Sequence, residues 1–321
     1  METLTKVAPT AVRHVLSGSD FSTEDLLDLV DYSLSIAEGR RDGDRPLANK
    51  AVGIFFRKSS TRTRTSFSVG AAKLGAYVIA YGPNDLQLAT GETLSDTGRV
   101  LANYLDVLVI RTNDSVTEMR ELASQERMAV INAMSENEHP TQAIADLVAM
   151  REALGRLEGV HVLYLGEGNN TAASLALSVG KLPAMHLTLV TPPGYGLPPD
   201  LVAAASAMAA ARGSVIEQHH DMERLPRRVD VVYTARWLTM GVPKRDDDWL
   251  ERFRRYCVTS AVMAEVSKPD GSTIFMHDLP AMRGYEVVDE VLDGEQSIAL
   301  RQAYHKMTSA MSVLAWATRT I

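Results

Sequence analysis

The stretch AVGIFFRKSSTRTRTSFSVGAAKLG, residues 51–75, decides how the chain is read. Its first part, AVGIFF (51–56), is continuously apolar, the pattern of a strand buried on both faces. Its last part, TSFSVGAAKLG (65–75), has helical spacing. The polar, basic turn between them leads into a helix expected to start near Thr63. A strand feeding a helix through such a turn is half of a parallel βαβ unit. The turn sets Ser59, Ser60 and Thr61 at a helix N-terminus, where backbone N–H groups and the helix dipole favour an anion. Hydroxyls of Ser60, Thr61 and Thr63 add donors, and Arg62 offers a planar, bidentate grip on phosphate. On composition alone, a cap followed by a solvated basic face explains the same residues.

The same alternation continues outward. YVIAYG (77–82), DVLVIRT (106–112) and AVINAM (129–134) are strand candidates, separated by helix-like TLSDTGRVLANYL (93–105) and followed by TQAIADLVAMREALG (141–155). In the second half, HVLYLGEG (161–168), LTLVTP (187–192), VDVVYTARW (229–237) and STIFMHD (272–278) read as strands, with NTAASLALSVGKL (170–182) as a helix. Apolar strands alternating with helices mean buried parallel sheets joined by right-handed crossovers. The expected fold is α/β, with two doubly wound domains bridged by helices. The first domain is expected over residues 1–148 and the second over 149–300. The segment 301–321, part of an amphipathic run from 297, is expected to return to the first domain as one long helix.

Bulk properties narrow the function. A chain of 321 residues with 45% hydrophobic and 23% charged residues is an ordinary globular protein of about two domains. A net charge of −7 argues against a large nucleic-acid footprint. The single cysteine, Cys257, rules out an intrachain disulfide framework and fits a reducing compartment. With no apolar run near a membrane span and no signal-like apolar core at the start, a cytoplasmic location is expected, without membrane contact.

Further motifs lie at strand ends. Arg111 closes an apolar strand at the carboxyl edge, where α/β sheets bind ligands. In ENEHPTQAIADL (136–147), Pro140 starts a helix that His139 precedes, and Gln142 sits in its first turn. A neutral imidazole or an amide there can donate to an anion or a carbonyl oxygen. GEGNN (166–170) has two glycines of a dinucleotide turn but Thr171 at the third position, so it is weak evidence for a nicotinamide cofactor. Asn169 and Asn170 suit either turn chemistry or a small polar substrate. YTARWLTMG (233–241) supplies Arg236, and FMHDLPAMRG (275–284) supplies Asp278 on a loop leaving a strand. Each alone has a structural explanation.

Together, and in this order, STRTR (60–64), GETLSDTGRVL (91–101), HPTQ (139–142), GEGNN, YTARWLTMG and HDLPAMRGYEVVDEVLDG (277–294) resemble the aspartate/ornithine carbamoyltransferase family, on its ornithine branch. The resemblance implies transfer of a carbamoyl group from carbamoyl phosphate to an amine, without metal or cofactor. It implies that Ser60, Thr61, Arg62, Thr63, Arg111, His139, Gln142 and Lys306 bind carbamoyl phosphate. Gln87 is implied to reach a neighbouring subunit's site, in a homotrimer. On the acceptor side it points to Asn170, Ala235, Arg236, Thr239, Met240, Asp278 and Leu279. Arg62, Arg111, His139, Gln142 and Asp278 are the expected catalytic set.

Four positions depart from that pattern. His-Cys-Leu-Pro is here His277-Asp278-Leu279-Pro280, the aspartate after Tyr-Thr is Ala235, the serine before Met-Gly is Thr239, and an arginine of the last helix is Lys306. Three of the four fall on the acceptor side. The expectation is therefore a carbamoyltransferase whose acceptor is not plain ornithine, with a genuine ornithine enzyme and a non-catalytic carbamoyl-phosphate binder as alternatives.

Overall fold

The computed structural model describes residues 12–86, 91–238, 244 and 246–321. The first half runs α1 (Thr23–Ala37), β1 (Ala51–Phe56), α2 (Arg62–Lys73), β2 (Tyr77–Tyr81), α3 (Leu94–Leu101), β3 (Val107–Arg111), α4 (Thr117–Leu122), β4 (Ala129–Met134) and α5 (Pro140–Leu154). The second runs β5 (His161–Leu165), α6 (Asn170–Val179), β6 (His186–Val190), α7 (Pro199–Ala210), β7 (Val215–His219), β8 (Val231–Thr234), α8 (Trp249–Arg254), α9 (Ser260–Val266), β9 (Ile274–His277), α10 (Asp289–Leu292) and α11 (Ala299–Ala317).

These elements make two α/β domains. One sheet has the order β2-β1-β3-β4 and the other β7-β6-β5-β8-β9, and every pairing is parallel. The central strands are buried along most of their length, which is why they read as unbroken apolar runs. Edge strand β7 is exposed at Val215 and Glu217, and its mixed sequence VIEQH gave no such signal. The helix α1 also escaped the sequence reading, although Ser22 and Asp25 form a capping box at its start.

Helix α2 begins at Arg62, so Arg62 and Thr63 lie in its first turn. Helix α5 runs unbroken to Leu154 and ends at Gly155 in the left-handed conformation (φ 72°), where glycine costs nothing. It packs on α1, α6 and α11. Helix α11 packs on α1, α2 and α5, and residues Thr308–Ala317 are buried without a break. One apolar cluster runs continuously from the first sheet through α5 and α11 to the second sheet. The two domains thus share a core, which fixes the facing edges of their sheets.

Both strand orders reverse direction once, between β1 and β3 and between β5 and β8. Ligands of open α/β sheets bind outside the carboxyl ends of strands at such reversals. Here two reversals contribute loops to one place.

Candidate active site

That place is a cleft of about 270 Å³. From the first domain it is lined by Ser59, Ser60, Thr61, Arg62 and Thr63 after β1, by Arg111 and Asn113 at the end of β3, and by Met134 and His139 between β4 and α5. From the second come Asn169, Asn170 and Thr171 after β5, Arg236 and Leu238 after β8, and Asp278, Leu279 and Pro280 after β9. Lys306 enters from α11.

On one wall, Arg111 Nη1 donates to Thr63 Oγ1 at 3.1 Å, while its Nε is buried and unpartnered within the protein. Burial pulls the Arg111 guanidinium down to about 10, with the Asp278 charge opposing, so it is cationic near neutrality. Burial likewise lowers Arg62, again opposed by Asp278. His139 sits at the N-cap of α5, its backbone N–H held by Ser174 Oγ at 2.8 Å. Its Nδ1 is buried without a partner. Burial, reinforced by the charges of Lys306 and Arg111, holds this imidazole well below its ordinary value, so it is neutral at pH 7.

On the opposite wall, Asn169 Oδ1 caps α6 by accepting from Thr171 N and Ala172 N. Asn170 Nδ2 donates to Ser135 O at 2.9 Å, linking the two domains across the cleft. Thr171 Oγ1 donates to Asp278 Oδ2 at 2.9 Å, whereas Asp278 Oδ1 is buried with no hydrogen-bond partner. Nδ1 of His277 is 3.7 Å from that oxygen but accepts from Leu279 N at 2.8 Å, so it has no proton to offer Asp278. Arg283 lies elsewhere, paired with Asp289 and Asp293 at the surface. Arg236 has a buried, unpartnered Nε.

The expected residues do not all meet the cleft. Gln142 stands behind it, its Oε1 accepting from Lys306 Nζ and its Nε2 donating to Asp146 Oδ1 at 2.7 Å. Ala235 is buried at 2% exposure in the shared core and does not line the cleft. Gln87, Thr239 and Met240 lie outside the described residues.

The sequence reading also missed a buried layer beneath the cleft. Asp146, fully buried on α5, accepts from Gln142, from Gln302 Nε2 at 2.7 Å and from Tyr233 OH at 3.0 Å. Its signal was available: one carboxylate inside the otherwise apolar run AIADLVAM. Gly168 in GEGNN has a packing reason, because a Cβ there would stand 2.3 Å from Leu197 N. Among the described residues, no group of three or more His, Cys, Asp or Glu side chains could hold a metal ion. Nor is any helix among them long and apolar enough to cross a membrane.

Comparison with known proteins agrees with this architecture. Residues 13–152 match the carbamoyl-P binding domain of aspartate/ornithine carbamoyltransferase, and residues 158–317 match its Asp/Orn binding domain. The ornithine carbamoyltransferase of Caldicellulosiruptor saccharolyticus is 38% identical over 305 residues, 94% of this chain and 97% of that one. That of Methanothermobacter thermautotrophicus is also 38% identical, over 95% and 98% of the two chains. Among solved structures, ornithine carbamoyltransferase from Pyrococcus furiosus superposes with a TM-score of 0.89 at 34% identity, covering 98% of this chain and all of that one.

Proposed function

The chain belongs to the aspartate/ornithine carbamoyltransferase family, and on that premise we propose that it transfers the carbamoyl group of carbamoyl phosphate to the side-chain amine of ornithine, giving citrulline and phosphate. The observation that carries the reading is the facing of two walls: an N-terminal helix turn with Arg62, Thr63 and Arg111 on one side, and the Asn170–Asp278 wall on the other, with His139 and Lys306 between. The names of the curated relatives support ornithine as the acceptor.

In this mechanism the phosphate rests on Ser60, Thr61, Arg62, Thr63 and Arg111, where backbone donors and guanidinium groups match its oxygens. The neutral acceptor amine attacks the carbamoyl carbon. Negative charge grows on the carbonyl oxygen, and His139, as a neutral imidazole donor, and Lys306 stabilise it. Gln142 acts by orienting Lys306. The bond from carbon to the phosphate oxygen breaks, phosphate leaves with the electron pair, and the proton released by the attacking nitrogen passes to phosphate. Holding both reactants in one cleft supplies much of the rate. A homotrimer in which the Gln87 segment completes a neighbouring site belongs to the same proposal, as does a cytoplasmic location; sedimentation equilibrium tests the trimer.

A second reading, an acceptor other than ornithine, is favoured by Ala235 and Arg236. Ala235 brings a methyl group where the family pattern has an aspartate for the α-amino group, and losing a charge-assisted hydrogen bond costs roughly 1.5–3 kcal/mol. Arg236 adds a half-buried cation at the cleft, its Nε without a protein partner, that suits an acceptor carboxylate. Candidates are another diamino acid, a modified ornithine or a polyamine, as in a specialised biosynthesis. Purified protein, labelled carbamoyl phosphate and a panel of amines separate the readings. Citrulline as the dominant product supports ornithine, a different ureido product supports the second reading, and no ureido product from any amine removes both.

A further inference from the structure

Lys306 is an awkward residue to bury. Its side chain projects from α11 into the cleft at 8% exposure, and among the described residues its ammonium donates to one protein acceptor, the uncharged Oε1 of Gln142. Two guanidinium groups share its cleft, Arg111 from β3 and Arg62 from α2, and His139 from the N-cap of α5 faces it as a neutral ring. Two carboxylates face it as well. Asp146 on α5 already accepts three hydrogen bonds, from Gln142, Gln302 and Tyr233. Asp278, after β9, is fixed through Oδ2 by Thr171, and its buried Oδ1 has no donor.

We propose that Asp278 is a positioning residue that keeps the Lys306 ammonium charged and donating, so that the two act as one unit on the ligand. The physical reason is the difference between the two basic side chains. A buried arginine stays protonated unaided, whereas a buried lysine readily sheds its proton. Burial pulls Lys306 down to about 8, Asp278 is the largest influence holding it up, Asp146 a smaller one, and Arg111 and Arg62 work against both. The two departures from the family pattern on either side of the cleft, Cys to Asp278 and Arg to Lys306, are thereby explained together: the lysine requires the carboxylate.

This pairing rests on the reading of the cleft as the carbamoyl-phosphate site, and its test separates the two. The probe is phosphonoacetamide, a non-hydrolysable stand-in, titrated calorimetrically near about pH 9, where its phosphonate is fully ionised. Removing a negative charge beside an anion site should by itself tighten binding. The expectation is the opposite sign: Asp278→Asn binds the probe about tenfold more weakly than the parent, because Lys306 is then less often protonated. In a Lys306→Arg background the same substitution binds as tightly as that background or tighter. Tightening in both backgrounds overturns the pairing. A readout without ligand is the Lys306 titration by 13C-lysine NMR, assigned with Lys306→Arg. Its midpoint falls in Asp278→Asn if the pairing holds, and an unchanged midpoint overturns it. A parent protein that fails to bind the probe but shows the NMR shift removes the carbamoyl-phosphate reading and leaves the pair.

Discussion

Arg111 Nη1 donates to Thr63 Oγ1 across 3.1 Å, so the last residue of β3 is fixed by the first turn of α2. The guanidinium is thereby aimed into the cleft before any ligand arrives, which lowers the ordering cost of binding. Thr63→Val keeps the shape and removes the acceptor. We expect KM for carbamoyl phosphate to rise about tenfold with little change in the thermal midpoint, because one charge-assisted hydrogen bond contributes about 1.5–3 kcal/mol. Steady-state kinetics at saturating amine checks it.

Ala235→Asp tests the acceptor side. The alanine is buried, so a carboxylate there lowers stability by about 1–3 kcal/mol in the free protein. With the family-pattern aspartate restored, kcat/KM for ornithine should rise by about tenfold or more. Unchanged ornithine kinetics alongside the stability loss would show that the α-amino group is held elsewhere.

Asp146 makes stability depend on pH. Burial pushes its carboxyl up to about 7, against the pull of its bonds from Gln142 and Gln302. The folded protein therefore binds this proton more tightly than the unfolded chain, whose value is about 3.9. Its contribution is most favourable below about pH 4 and declines as pH rises to about 7. Asp146→Asn should flatten the change in urea midpoint between about pH 5 and pH 8 relative to the parent.

Glu152 has the opposite sign. Its bonds from Arg301 and from His305 hold its carboxyl down to about 2, tying α5 to α11. That stability is complete above about pH 4.5 and is lost as pH falls toward 2. Glu152→Gln should lower stability at pH 7 by about 1 kcal/mol, discounted for solvent screening of the exposed Arg301, and the difference should vanish in acid. Urea unfolding at about pH 7 and about pH 2 reads both.

The legible parts of this protein are those whose physics is local. The buried strands β1, β3 and β4 announced themselves as apolar runs because both faces are covered. His139 and Pro140 announced the start of α5, and the polar turn after AVGIFF announced the start of α2 near Thr63. Edge strand β7 did not, because a half-exposed strand tolerates Glu217 and Gln218. Gln142 looked like a residue touching ligand, since its place in the first turn of α5 is all a sequence shows. Its direction, away from the cleft and toward Asp146 and Lys306, is set by α11 packing on α5.

The sequence by itself determined two parallel α/β units, the strand-to-helix turn at Ser60–Thr63, and a motif order that identifies the family. Those follow from periodicity, helix-end electrostatics and residue identity, all carried by neighbours along the chain. Only the tertiary structure decided the charge logic of the cleft. Lys306, Asp146 and Arg111 are scattered through the sequence, and their protonation depends on which charges, that of Asp278 among them, the fold brings beside them. Burial and through-space charge are properties of the assembled core, so the sequence could show that Asp278 and Lys306 are unusual but not that they answer each other.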